Sequence, residues 1–198
     1  MRSRPQPAAS IHEKAADNLH FIRSTMERAG SFTAVPGWGG VVMGVVGVAA
    51  AAIAWQQPSE QAWLAVWLVA ALLASAAGAV AIYMKSRAAG VAFLSHPARQ
   101  FLMSFIPPIL VGALFTWILY AAGTFGMIPG AWLLMYGVAV IAGGAFSVRV
   151  VPFMGLLFLV IGTVAMFSPA SLRDLFLAAG FGVLHIVFGV IIARRYGG

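Results

Sequence analysis

The chain has 198 residues, 62% hydrophobic and 9% charged, with a mean hydropathy of +0.95. Soluble domains carry about a quarter charged residues, so this composition indicates an integral membrane protein and excludes a soluble globular core. Cysteine is absent, which excludes disulfides, thiolate metal sites, iron–sulfur clusters and thiol nucleophiles. The net charge of +7 lies between apolar runs, where topology requires it, so no nucleic-acid partner is expected.

Residues 1–9 form a basic, Pro-rich tail expected to be disordered. Residues 10–30 read as an amphipathic cytoplasmic helix. Ser10 and Glu13 have the spacing of a capping box, and Gly30 serves as the stop. Ile11, Ala15, Leu19, Ile22, Met26 and Ala29 recur every three or four residues and fall on one stripe. Lys14, Arg23 and Arg28 balance Glu13, Asp17 and Glu27. A lipid-surface helix is usually rich in Lys and Arg, so a protein partner or a second copy is favoured at Ile11, Leu19, Ile22 and Met26, with the bilayer surface as the alternative. His12 and His20 are not i,i+4 neighbours and are read as solvated. No signal-peptide core precedes residue 36, so the first span is expected to act as its own insertion signal.

Residues 36–195 read as an all-α domain of six transmembrane helices, near 37–55, 62–84, 101–122, 131–148, 152–167 and 172–193. Most reach about 17–25 residues, enough to cross a bilayer core of about 30 Å. Eleven of the twelve basic residues fall on one side of this arrangement, with Arg173 the exception. Both termini are therefore expected to be cytoplasmic in a bacterial-type inner membrane. Trp38, Trp55, Trp63, Trp132, Tyr83 and Tyr196 lie near span ends, where interfacial aromatics belong.

Prolines keep step with the spans. Pro36, Pro107 and Pro152 are expected to open outward helices, where a missing amide costs nothing, and Pro58, Pro129 and Pro169 to sit in outer turns. Two returning helices begin alike, with Ala62-Trp63-Leu64 and Ala131-Trp132-Leu133, followed by Trp67 and Tyr136. Three tandem hairpins are the simplest account. A 3+3 inverted repeat is the alternative. Glycines seven apart, Gly40/Gly47, Gly137/Gly144, Gly155/Gly162 and Gly182/Gly189, return nearly to one helix face, and Gly40 and Gly44 add a GxxxG pair. Gly40, Gly44, Gly47, Gly182 and Gly189 are thus expected at helix contacts.

The stretch FMGLLFLVIGTVAMFSPASLRDLFLAAGFGVLHIVFGVIIA resembles one hairpin of the HdeD-type acid-resistance membrane proteins, and VVMGVVGVAAAAIAWQQP repeats its first part. The resemblance rests on Gly155, Gly162, Pro169, Gly182 and Gly189 and covers about the last third of the chain. It implies three hairpins and a link to acid stress, and supplies no catalytic residue.

His185 is the ionisable residue deepest in the last span. About 14 residues from Ser171, it lies about 21 Å along the helix, just past mid-depth. Intramembrane ionisable residues are functional candidates. The competing account is a neutral histidine bonded within the bundle, with Ser75 at matching depth as the expected partner. Arg173 and Asp174 are read as caps of span six, and Pro107-Pro108 as a kink or an ion-facing gap. The expected function is non-enzymatic, without cofactor or metal: a small structural, stress-response or accessory subunit acting by association. The alternative is a small channel or transporter with a pH-sensitive site at His185.

Overall fold

The structure, a computed structural model, describes residues 16–19, 21, 22, 35–88, 90 and 95–196. The chain divides into two units, Met1–Ser31 and Phe32–Gly198. In the first, residues 16–19, 21 and 22 are helical, and Leu19, Phe21 and Ile22 are exposed. The capping box, Ile11, Met26 and the Gly30 stop lie outside the described residues.

The second unit is all helical among its described elements. In chain order these are α1 (Gly37–Ala54), α2 (Glu60–Ala88), α3 (His96–Ala121), α4 (Ile128–Gly144), α5 (Val150–Met166) and α6 (Ala170–Tyr196). Short 3₁₀ turns, Phe125–Met127 and Ala170–Leu172, lead into α4 and begin α6. Within α6 a π-helical segment, Ala178–Leu184, separates the α-helical stretches Arg173–Leu177 and His185–Tyr196. Five helical stretches are long and apolar enough to cross a membrane, α4 being counted together with its leading 3₁₀ turn as Phe125–Gly144. The sixth, α5, is apolar but has 17 residues, about 26 Å at 1.5 Å per residue. The chain is a helical integral membrane protein.

Helix ends follow from local chemistry. Gln56 and Gln57 donate their side-chain amides to the carbonyls of Ala52 and Ile53 in the last turn of α1. The Ser59 hydroxyl accepts from the Ala62 amide at the start of α2. Gly123, at φ +69°, stops α3 in the left-handed region, which glycine enters without strain. Pro36 precedes α1, and Pro152 lies in the first turn of α5. Pro107 does not open a helix. α3 begins eleven residues earlier at His96, with Pro97 in its first turn, and continues through Pro107 and Pro108. The apolar count of the sequence missed this polar first turn because its lack of hydrophobicity does not prevent helix formation.

Two antiparallel helix pairs approach most closely, and glycine makes both possible. In the first, α1 lies along α6. A β-carbon at Gly44 would stand 2.6 Å from the Gly182 carbonyl oxygen, and one at Gly47 2.6 Å from that of Phe181. One at Gly189 would stand 2.7 Å from the Gly37 oxygen. In the second, α4 lies along α5, with Gly137 and Gly155 each within 2.9 Å of the other's carbonyl oxygen by the same measure. α2 packs on α1, and α3 on α4. The core between them includes Trp63, Ile128, Leu133, Phe158 and Leu177, all fully buried.

The chain therefore has two chemically distinct ends. At one, Lys85 donates to the carbonyls of Val35 and Tyr196, tying α2 to the start of α1 and the end of α6. Arg87, Arg99, Arg149, Arg194 and Arg195 are all exposed at this basic end. At the far end Glu60 pairs with Arg173.

Candidate functional site

The polar interior is built on α2, α4 and α6 and has two tiers. The first is at the far end. The i,i+4 spacing of Trp63 and Trp67 puts both indoles on one face of α2. Both donate to one oxygen of Asp174, at 2.7 and 3.0 Å. Asp174 is 5% exposed. Arg173 forms an ion pair with Glu60 and sits 4.3 Å over the Trp63 ring, and its Nε lies 3.9 Å from the second Asp174 oxygen. Trp63 also stacks on Trp132, with centroids 6.1 Å apart and planes within 10°. The Trp132 indole donates to the Thr116 hydroxyl at 2.7 Å, which donates in turn to the Gly112 carbonyl at 2.8 Å. A buried carboxylate with donors is stable where a bare one is not, so the α2 indoles and Asp174 satisfy each other.

The second tier lies deeper. The Tyr136 hydroxyl is 2.8 Å from His185 Nε2, and His185 Nδ1 is 3.4 Å from the Gly180 carbonyl. The consistent assignment places the imidazole proton on Nδ1, so that Nδ1 donates to Gly180 and Tyr136 donates to Nε2. The π segment brings the Gly180 carbonyl within reach, five residues before the histidine. Phe158 and Phe181 ring the pair, and Phe105 meets Tyr136 edge-on. Among the described residues every buried side-chain nitrogen and oxygen has a partner.

Sequence and structure differ on several of these positions. His185 is buried, but Ser75 lies on the exposed side of α2 and is not its partner. Matching depth along two helices does not settle the direction in which each side chain points, and Tyr136 takes that place. Asp174 lies in the first turn but makes no capping bond there: its carboxylate accepts from two indoles instead. Trp63 is fully buried within the bundle, whereas Trp38 and Trp55 are exposed. The repeated Ala-Trp-Leu steps carried the missing signal. Trp63 and Trp132 occupy the same step and meet face to face, and the later Trp67 and Tyr136 each reach a polar group of α6. Gly40, Gly44 and Gly47 face α6, where Gly182 and Gly189 lie. No group of His, Asp or Glu among the described residues has metal-holding geometry.

Tyr136→Phe keeps the ring and removes the donor to Nε2. It is expected to lower stability by about 1 kcal/mol, the usual worth of one such bond, while leaving the helical far-ultraviolet spectrum unchanged. Thermal unfolding in detergent checks this, and an unchanged midpoint would show that the bond contributes nothing.

No family model, curated protein or solved structure matches this chain.

Proposed function

We propose that the protein is a six-span bundle of three hairpins, with both termini cytoplasmic, that works by association as a structural, stress-response or accessory subunit of the inner membrane and carries out no reaction. The supporting observation is the closed pairing of the interior: indole to carboxylate, phenol to imidazole, guanidinium to carboxylate. Among the described residues each buried side-chain nitrogen and oxygen has a partner, so these groups tie helices to one another. The Lys and Arg imbalance between the two ends supports the orientation, and the resemblance to HdeD-type proteins supports the hairpins and a role in acid stress. Residues 11–29 are the proposed contact for a protein partner or a second copy.

The second reading, a small channel or transporter with a pH-sensitive site at His185, draws on the π segment beside that histidine, since such segments recur at functional sites. Proton and ion flux in sealed proteoliposomes, measured from pH 5 to 8 for wild type and His185→Ala, separates the two. The expected result is no flux above empty vesicles from either protein. Flux that disappears in His185→Ala would establish the second reading. The absence of cysteine makes single-cysteine labelling a direct test of orientation: Gln57→Cys is expected to react with an impermeant reagent from outside the cell, and Arg195→Cys only after the membrane is opened.

A further inference from the structure

α3 packs chiefly along α4, and its two halves are held there differently. Pro107 and Pro108 lie inside the helix. Proline has no N–H, so the carbonyls of Met103 and Ser104 lose the donors that residues four further on supply in an ordinary helix. Two adjacent losses interrupt the ladder near the middle of α3, and a helix bends most readily at such a place.

Beyond the interruption α3 is pinned. The Trp132 indole of α4 donates to the Thr116 hydroxyl at 2.7 Å. A β-carbon at Gly112 would stand 3.3 Å from that of Met135. Before the interruption, residues 96–106 rest on α4 through rings. Phe101 and Phe105 stack on each other with centroids 5.5 Å apart. Both lie against Gly143, where a β-carbon would stand 3.0 Å from the Phe101 ring and 3.3 Å from the Phe105 β-carbon. Phe105 then meets Tyr136 edge-on, with centroids 5.8 Å apart. Ring contacts release without stranding a hydrogen-bond donor, as breaking the Trp132–Thr116 bond would.

Behind Phe105 lies the Tyr136–His185 pair, the deeper of the two polar tiers. Its other covers, Phe158 and Phe181, belong to α5 and α6. Glycine contacts hold those two helices close, α5 to α4 at Gly137 and Gly155, and α6 to α1 at Gly44 and Gly182. Tyr136 and Phe105 are half-exposed, whereas His185 is buried. Phe105 is thus the cover whose support can bend.

We propose that residues 96–106 form a lid over the Tyr136–His185 pair, hinged at Pro107 and Pro108, that opens by lifting Phe101 and Phe105 off Gly143 and Tyr136. Hinges are short segments that absorb the backbone change while the elements on either side stay intact. Opening lets water and small solutes reach His185 by way of Tyr136.

Hydrogen exchange of the full chain in mild detergent, read by mass spectrometry, tests the hinge. Pro107→Ala/Pro108→Ala restores the two missing donors. It should slow exchange in residues 97–106 about tenfold and leave residues 112–121 within about twofold. Pro97→Ala, in the first turn, restores no donor to the ladder and should leave both segments within about twofold. Unchanged exchange of residues 97–106 in the double variant would reduce opening there to fraying of a helix end and overturn the hinge. Thiol chemistry tests the lid. The chain has no cysteine, so His185→Cys carries a single thiol at the covered position. A small methanethiosulfonate should label it about tenfold faster with the native prolines than with Pro107→Ala/Pro108→Ala. Equal rates would mean that His185 is reached by another path and would overturn the lid. Monodisperse elution and helical circular dichroism verify each variant. Should His185→Cys fail that check, the exchange measurement, made with the histidine in place, decides alone.

Discussion

Asp174→Ala is expected to lower stability by about 3 kcal/mol, or roughly 6–12 °C in apparent melting temperature for a chain of this size. The substitution removes the only acceptor of two buried indole N–H groups. A buried donor left without a partner costs about 1–3 kcal/mol, and no neighbouring hydroxyl or carbonyl receives either indole in this arrangement. It also leaves Arg173 with Glu60 alone. Asp174→Asn keeps one acceptor oxygen and should cost about 1 kcal/mol. Trp63→Phe and Trp67→Phe should each cost a similar amount, but together more than their sum. The pair strips the carboxylate of both donors and leaves it buried with only Arg173 near, at 3.9 Å. Melting curves of the five variants and the wild type in one detergent measure all of this. If Asp174→Ala melts within a degree of wild type, the far-end tier is not what holds α2 to α6.

Gly44→Ala is expected to cost about 1–3 kcal/mol, whereas Gly40→Ala stays within about 0.5 kcal/mol. Both glycines belong to the same GxxxG pair on α1, and both face α6. The difference is what a methyl group would meet. At Gly44 it would stand 2.6 Å from the Gly182 carbonyl oxygen and 2.8 Å from the Ile186 amide nitrogen, which are backbone atoms and cannot turn aside. At Gly40 the nearest atom is the Gly189 α-carbon at 3.3 Å, which a slight shift accommodates. With no hydrophobic drive between helices in lipid, close packing carries the association, so separating α1 from α6 forfeits much of it. Gly44→Leu should prevent the compact state altogether, seen as early elution and loss of resistance to protease. Equal stability of the two alanine variants would mean that α1 and α6 do not approach as closely as the structure has them.

Much of the architecture was legible because membrane insertion acts on local composition. An apolar run of about 20 residues must satisfy its own backbone in lipid, and helix is the solution available to it. So the apolar stretches of α1, α2, α4 and α6 can be placed from the chain alone. Where composition is not apolar, the same reasoning falls short, as at the His96 start of α3. The repeats of Gly40/Gly47, Gly137/Gly144, Gly155/Gly162 and Gly182/Gly189 marked faces without assigning partners. Which face met which was a matter of how the six helices ring one another: α1 with α6, and α4 with α5.

The sequence by itself determined a helical membrane protein with several apolar segments, the concentration of Arg and Lys at one end, and His185 as an isolated polar group deep in the last segment. Each follows from residue type and spacing along one helix. Only the tertiary structure decided that His185 bonds Tyr136 while Ser75 faces outward, that Asp174 serves two tryptophans 111 and 107 residues away, and that α2 and α3 stand apart. These depend on the rotation of each helix about its own axis. In apolar helices flanked on several sides by lipid or by other helices, no strong hydrophobic stripe encodes that rotation. It is set by which small residues let backbones meet and which buried donors find acceptors.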